Sequence, residues 1–227
     1  MRETTRGVSG GREPLRWRLD GATDAPDAPL VVCLHGIRMN EDFFALLLRG
    51  LFDLPFRFVC LRGFHPAPPV PGQTVGASWY AYDGDQEAFR VELEQAERGI
   101  REAITGLEVE RGLRPRARVI LGFSQGGYCG SFVALRGLDL FSGLVVSGAR
   151  VKTEFLEREI KAAGSAGFRT LLLHGDGDTA VPIAAAERSE AALRSGGVDV
   201  SFERFDSGHS IGRSQIASIA RRLTEWL

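Results

Sequence analysis

Apolar and polar positions follow two rhythms along this chain. Short, almost wholly apolar runs recur at Leu30–Leu34, Phe56–Leu61, Ala117–Phe123, Gly143–Ser147 and Thr170–His174. Runs of this kind mark strands buried on both faces of a parallel sheet. Val198–Phe205 instead alternates apolar with polar, which predicts an edge or half-buried strand. The second rhythm lies between the runs. Phe89, Leu93, Ala96, Ile100, Ala103, Ile104 and Leu107 recur at three- and four-residue spacing with Glu and Arg between them, one apolar stripe on a long helix. Ile183–Arg194 and Ile211–Leu227 pass the same test, and a helical stretch runs from Gln125 to about Leu135. Strands alternating with helices imply right-handed crossovers, hence an α/β fold with a doubly wound, mostly parallel sheet.

The 227 residues contain no internal repeat and no linker, so residues 15–227 are expected to form one domain. Residues 1–14 are polar and glycine-containing and are expected to be a flexible N-terminal segment without the apolar core of a signal peptide. An apolar fraction of 44% and a charged fraction of 25% exclude general disorder. The formal net charge of −1 offers nucleic acid or an anionic membrane no footprint unless one face concentrates charge. No stretch of 18 apolar residues occurs, so no membrane anchor is expected. Cys33, Cys60 and Cys129 all lie in apolar segments, which points to reduced, buried thiols and a cytoplasmic setting. The chain has no C-x-x-C pair, so a structural zinc site is not expected.

One segment breaks both rhythms. Arg62–Gln86 carries four prolines, several glycines and the aromatic residues Phe64, Trp79, Tyr80 and Tyr82. A loop of this length is either functional or a surface excursion packed down by its own aromatics. As a functional loop it would form the wall of an acyl or aryl pocket.

The sharpest chemical signal is Gly122-Phe123-Ser124-Gln125-Gly126-Gly127. It is a G-x-S-x-G stretch between an apolar strand and a helix, the context a nucleophile elbow needs. The turn is so tight that residues two away must lack side chains, and it aims a helix N-terminus at a reacting carbonyl. A serine needs a base, and in this architecture the order is Ser, acid, His. Two histidines follow Ser124. His174 ends a strand and is expected to be packed or bonded locally. His209 lies between the last strand and the last helix, where a loop can carry it back over the sheet edge, and it is the expected base. Asp176 and Asp178 both qualify as the acid by position, and spacing does not choose between them. The acid would orient the imidazole, and the other aspartate would bond loop amides as an Asx turn. An oxyanion hole needs two amides. Gln125 supplies one, and the His35-Gly36-Ile37 stretch after the first apolar run is placed for the other, with Ile37 the expected donor.

These pieces resemble the α/β-hydrolase superfamily, and within it the phospholipase/carboxylesterase family that includes acyl-protein thioesterases. The matching stretches are Leu34-His35-Gly36, Ala77-Ser78-Trp79-Tyr80, Leu121–Gly127, His174–Pro182 and Gly208-His209-Ser210-Ile211. The resemblance implies that Asp178 is the acid, that Ile37 is an oxyanion donor and that Trp79 lines the acyl site. It departs after His35-Gly36, where Arg38 stands in place of a small, glycine-containing loop. Arg38 would face solvent or reach an anionic group on a substrate. Between Val146 and Arg169 there is room for one helix only, so the fold is expected to lack a large cap domain and to leave an open site.

The expected activity is hydrolysis of small to medium carboxylic esters or thioesters through an acyl-enzyme, needing no metal and no cofactor. A receptor of the same fold with slow or single turnover is the alternative, since fold alone does not set function. A peptidase would usually need an extra domain or cap to select peptides.

Overall fold

A computed structural model of the chain describes residues 4–9 and 15–227. In chain order the elements are β1 (Thr5–Ser9), β2 (Leu15–Gly21), β3 (Leu30–Leu34), α1 (Glu41–Leu48), β4 (Arg57–Leu61), β5 (His65–Ala67), β6 (Gly76–Ser78) and α2 (Gln86–Arg111). They continue with β7 (Arg118–Phe123), α3 (Gln125–Arg136), β8 (Gly143–Ser147), α4 (Glu157–Ser165), β9 (Arg169–Gly175), α5 (Ile183–Ser195), β10 (Asp199–Phe205) and α6 (Arg213–Trp226).

Eight strands form one sheet in the order β1-β2-β4-β3-β7-β8-β9-β10. From β4 to β10 all neighbours are parallel, and β2 pairs antiparallel with both β1 and β4. The apolar runs predicted as doubly buried strands are the sheet's centre. In β3, Leu30, Val32 and Leu34 enter one core while Val31 and Cys33 enter the other, all fully buried. The first core is closed by the predicted stripe of α2 and by α3, α4 and α5; the second by Phe44, Ala45 and Leu48 of α1 and Ile219 and Leu223 of α6. Burying a large aliphatic side chain of this kind contributes about 1.5–3 kcal/mol before entropy is counted. The alternating segment is β10, at the sheet's edge as expected.

Two strands at the β1 end of the sheet were not anticipated. Residues 5–9, expected to be flexible, form β1, which corrects that reading for this stretch; residues 1–3 and 10–14 lie outside those described. An edge strand needs only one face against the protein, so few apolar residues suffice. Gly7 lies flat on the Trp17 ring, where an added Cβ would come within 2.3 Å, and the Ser9 hydroxyl donates to the Ala103 carbonyl at 2.8 Å. In β2, Leu15, Trp17 and Leu19 are buried in alternation with Arg16 and Arg18.

The strand order sets the site. From β3 the chain passes first to β4 on one side and later, through α2, to β7 on the other. The loops leaving β3 and β7 therefore diverge at a switch point, where open α/β sheets form their ligand crevice. The segment after β8 holds only a short 3-10 turn at Thr153–Phe155 and α4, so no large cap sits over this edge.

Candidate active site

Ser124 occupies the turn from β7 into α3 with φ 52° and ψ −121°, a conformation that costs an L-residue on the order of 1–3 kcal/mol. The flanking glycines make the turn possible. An added Cβ on Gly122 would meet the Gly126 carbonyl oxygen at 2.3 Å, and one on Gly126 would meet the Leu34 carbonyl oxygen at 2.1 Å. The Ser124 amide donates to the Ser147 carbonyl at 2.9 Å, which ties the strained turn to the end of β8.

His209, in the loop after β10, comes back over the sheet edge as its position predicted. Its Nε2 lies 2.8 Å from the Ser124 Oγ and its Nδ1 lies 2.7 Å from Oδ2 of Asp178. The carboxylate only accepts, so Nδ1 carries the proton and Nε2 is free to accept from the serine hydroxyl. The ring lies against Phe123, with centroids 5.0 Å apart. Of the two aspartates, Asp178 is the one that stands beside the imidazole. Asp178 both orients the imidazole and caps its own loop, its Oδ1 accepting from the amides of Ala180 and Val181 at 2.9 Å each. Burial pushes its carboxyl pKa up, but the Val181 amide, the His209 ring and the Ala180 amide outweigh that and hold it below the usual range. Asp176 does not take the Asx-turn role foreseen for it. It accepts from Arg204 Nε on β10 at 2.7 Å, at the surface. His174 is fully buried and donates from Nε2 to the Val181 carbonyl at 2.8 Å, bracing the Asp178 loop from behind.

The amides of Ile37 and Gln125 stand on the two loops of the switch point. Gln125 opens α3, where first-turn amides have no intrahelical acceptor, and among the described residues no acceptor takes the Ile37 amide. His35 holds the Ile37 loop. Its Nδ1 donates to the Gly36 carbonyl at 2.8 Å and its Nε2 accepts from the Gly63 amide at 3.0 Å. Complete burial pushes its pKa down to about 4, with nearby Arg62 contributing, so it is neutral at pH 7. Gln125 does more than its amide suggested. Its side-chain Oε1 accepts from the Trp79 amide at 3.0 Å, while Nε2 donates to the Ser78 hydroxyl at 2.8 Å and the Tyr80 carbonyl at 3.2 Å. The first residue of α3 thus staples the Arg62–Gln86 loop to the elbow.

A cleft of about 790 Å³ opens beside Ser124. The long loop contributes Tyr80 and Tyr82 to its wall, and Tyr128 of α3 stands with them. Phe89 packs behind these rings, 4.9 Å from Tyr80 and 5.7 Å from Tyr128 between centroids. The loop thus lines the cleft with some of its aromatics and packs others beneath itself, and two expectations need correction. Trp79 does not line the cleft. It is fully buried beneath the loop, its indole N–H donating to the His35 carbonyl at 2.8 Å. Arg38 does not reach the cleft either. Its backbone has φ 71° and its guanidinium donates to the carbonyls of Pro68 and Pro69 at 3.1 Å each. A run of prolines has few amides to occupy those carbonyls, so an exposed arginine takes them. The charged residues that line the cleft are Arg150, Glu154 and Arg188, which the sequence reading did not single out. Arg188 left a trace in the sequence: its helical neighbours three and four residues away are Ala184, Ala185, Ala191 and Ala192, so no partner is supplied on its own helix. Among the described residues no group of three His, Cys, Asp or Glu is placed to hold a metal ion.

Comparison with known proteins bears on the family and the fold. The model of the phospholipase/carboxylesterase family matches residues 22–227. The chain belongs to that family. It is similar to acyl-protein thioesterase 1 of Neurospora crassa, with 27% identity over 177 residues covering 70% of this chain and 72% of that protein. Among solved structures, esterase PE8 superposes with a TM-score of 0.78 at 26% identity over 97% of this chain and 99% of that one. Zea mays acyl-protein thioesterase 2 shares the fold with a TM-score of 0.70 at 20% identity, covering 92% of this chain and 98% of that one. The α/β-hydrolase fold and the carboxylesterase and thioesterase family follow from these likenesses together. No helix among the described residues is long and apolar enough to cross a membrane.

Proposed function

We propose that this chain is a serine hydrolase of carboxylic esters or thioesters with small to medium acyl groups, working through an acyl-enzyme on Ser124. The observation that carries the reading is the unbroken relay from Ser124 Oγ through His209 to Asp178, with contacts of 2.8 and 2.7 Å. Ser124 attacks the acyl carbon as His209 Nε2 takes its proton. Asp178 holds the reactive tautomer and stabilises the imidazolium that forms. The amides of Ile37 and Gln125 receive the oxyanion, and the N-terminus of α3 adds its dipole there. His209 then protonates the leaving alcohol or thiol, and water repeats the sequence to release the acid. Each of these steps is carried by side chains and amides of this chain.

The open cleft and the absence of a large cap support small, accessible substrates. One α/β-hydrolase domain spanning residues 15–227 would carry the activity, with no nucleic-acid partner. The buried, unpaired Cys33, Cys60 and Cys129 suit a cytoplasmic setting. The test is steady-state hydrolysis of nitrophenyl esters of rising acyl length beside matched thioesters. Multiple turnovers that disappear in Ser124→Ala are expected. A single burst, or stabilisation by ligand without turnover, would replace the enzyme with a receptor.

A further inference from the structure

The cleft beside Ser124 is lined by two chemical kinds of residue. One is apolar: Ile37, Val181 and Pro182 with the tyrosine rings. The other carries its charge: Arg150, Glu154 and Arg188 are the charged residues lining it. Glu154 is already committed. Arg150 Nη1 lies 3.3 Å from it and Lys152 Nζ 3.6 Å from it, so two cations share one carboxylate. Burial pushes the Glu154 carboxyl pKa up, but its backbone amide, Arg150 and Lys152 outweigh that and keep it below the usual range.

Arg150 is also held in place, its guanidinium lying over the Tyr128 ring at 5.3 Å. Stacking of this kind leaves the planar fork free at its edge for a carboxylate or phosphate. Arg188 has no ion-pair or hydrogen-bond partner among the described residues. The acids beside it on α5 are engaged elsewhere, Glu187 with Arg204 at 3.2 Å and Glu190 with Arg194 at 2.9 Å. The formal net charge of the whole chain is −1, yet two of the three charged residues that line the cleft beside Ser124 are cationic.

We propose that Arg150 and Arg188 form an anion subsite of this cleft, so that the preferred ester or thioester carries a carboxylate or phosphate group beyond its acyl bond. This rests on the hydrolase reading and adds a substrate class to it. The cationic wall supplies the charge-assisted hydrogen bonds that a neutral substrate cannot use. The arginine foreseen for this role from the sequence, Arg38, is bound to the proline loop instead.

The experiment compares kcat/KM for matched pairs. Mono-4-nitrophenyl glutarate against 4-nitrophenyl butyrate places the anion on the acyl side. Butyryl glycerol 3-phosphate against monobutyrin places it on the alcohol side. At least one anionic member is expected to be preferred by about tenfold, and Arg150→Gln and Arg188→Gln are each expected to lower that ratio about threefold to tenfold. Sodium chloride at 0.5 M should shrink the preference as well, by screening. Which pair shows it tells on which side of the acyl bond the subsite lies. Equal rates in both pairs, or ratios untouched by both substitutions, overturn the proposal while hydrolysis of the neutral esters upholds the enzyme. Should no ester be cleaved, thermal stabilisation by glutarate and by glycerol 3-phosphate reads the subsite independently of turnover. A shift abolished in the double variant supports it, and no shift in the parent overturns it.

Discussion

The elbow after β7 and the Arg62–Gln86 loop meet at Gln125, yet they are held by different means. The elbow is a few residues long and its shape is dictated by steric exclusion. Gly122 and Gly126 are needed because backbone atoms stand within 2.3 Å of where their Cβ atoms would be. The long loop has a short β5–β6 pairing, and its shape comes from side chains reaching across. Gln125 holds Ser78, Trp79 and Tyr80; His35 holds Gly63; Asn40 donates to the Val75 carbonyl at 2.8 Å; Arg38 holds Pro68 and Pro69. Chemistry placed on the first kind of structure can be read from residue types at fixed spacing. Substrate-facing residues placed on the second kind depend on which distant group each side chain finds.

The comparison can be broken or sharpened at several points. The largest effect is expected at the elbow. Ser124→Ala should lower kcat by about 10⁶-fold, as loss of the nucleophile does in serine proteases, with an unchanged far-UV spectrum. Retained turnover would remove the elbow from the mechanism. Next comes the acid. Asp178→Asn should lower kcat by about 10⁴-fold because the amide no longer fixes the imidazole tautomer, whereas Asp176→Asn, which touches only a surface arginine, should change it less than about threefold. The lowered Asp178 pKa also has a sign in stability. Its contribution is present above the ordinary carboxylate pKa and is lost as pH falls through the lower value in the folded protein. Acid titration of the parent and of Asp178→Asn, followed by circular dichroism, should therefore converge at low pH.

At the junction of the two regions, Gln125→Ala leaves the Trp79 amide and the Tyr80 carbonyl without their partner. It should destabilise the fold by about 1–3 kcal/mol in urea unfolding. It should also reduce kcat/KM by about tenfold to a hundredfold through a misplaced cleft wall. An unaffected cleft would show that the loop holds its shape without the staple. His35 tests the other loop through pH. Its folded pKa of about 4 lies below the ordinary 6.5, so the unfolded chain takes up the proton first as pH falls. Its contribution to stability is complete above about pH 6.5 and declines toward pH 4, which costs the parent about 2 kcal/mol between pH 7 and pH 5. His35→Gln should lose correspondingly less over the same interval in urea unfolding. The smallest effect is expected at Arg38, where Arg38→Ala should leave kcat/KM for anionic and neutral esters within about twofold, because its side chain is exposed and spent on loop carbonyls.

What was legible followed from local physics. The central strands β3, β4, β7, β8 and β9 were readable because burial on both faces leaves continuous apolar runs, and α2 because one buried face leaves a stripe at helical spacing. β1 was not, because an edge strand resting on one tryptophan needs almost no apolar residues of its own. α1 was missed although Asn40 caps it, accepting from the Phe43 amide at 2.8 Å, since eight residues leave too short a period to stand out.

By itself the sequence determined the alternation of the central strands with the long helices, the elbow glycines around Ser124, and the presence of a histidine and an aspartate after the strands that could bring them back. These depend on periodicity and on which residue types a tight turn admits. The tertiary structure alone decided that Asp178 both orients His209 and closes its own turn while Asp176 goes to Arg204. It alone sent Trp79 beneath the loop, bound Arg38 to the prolines, and set Arg150 and Arg188 at the cleft. The physical reason is that a long polar side chain can satisfy its donors with any acceptor the fold brings within reach, and chain spacing does not say which acceptor arrives.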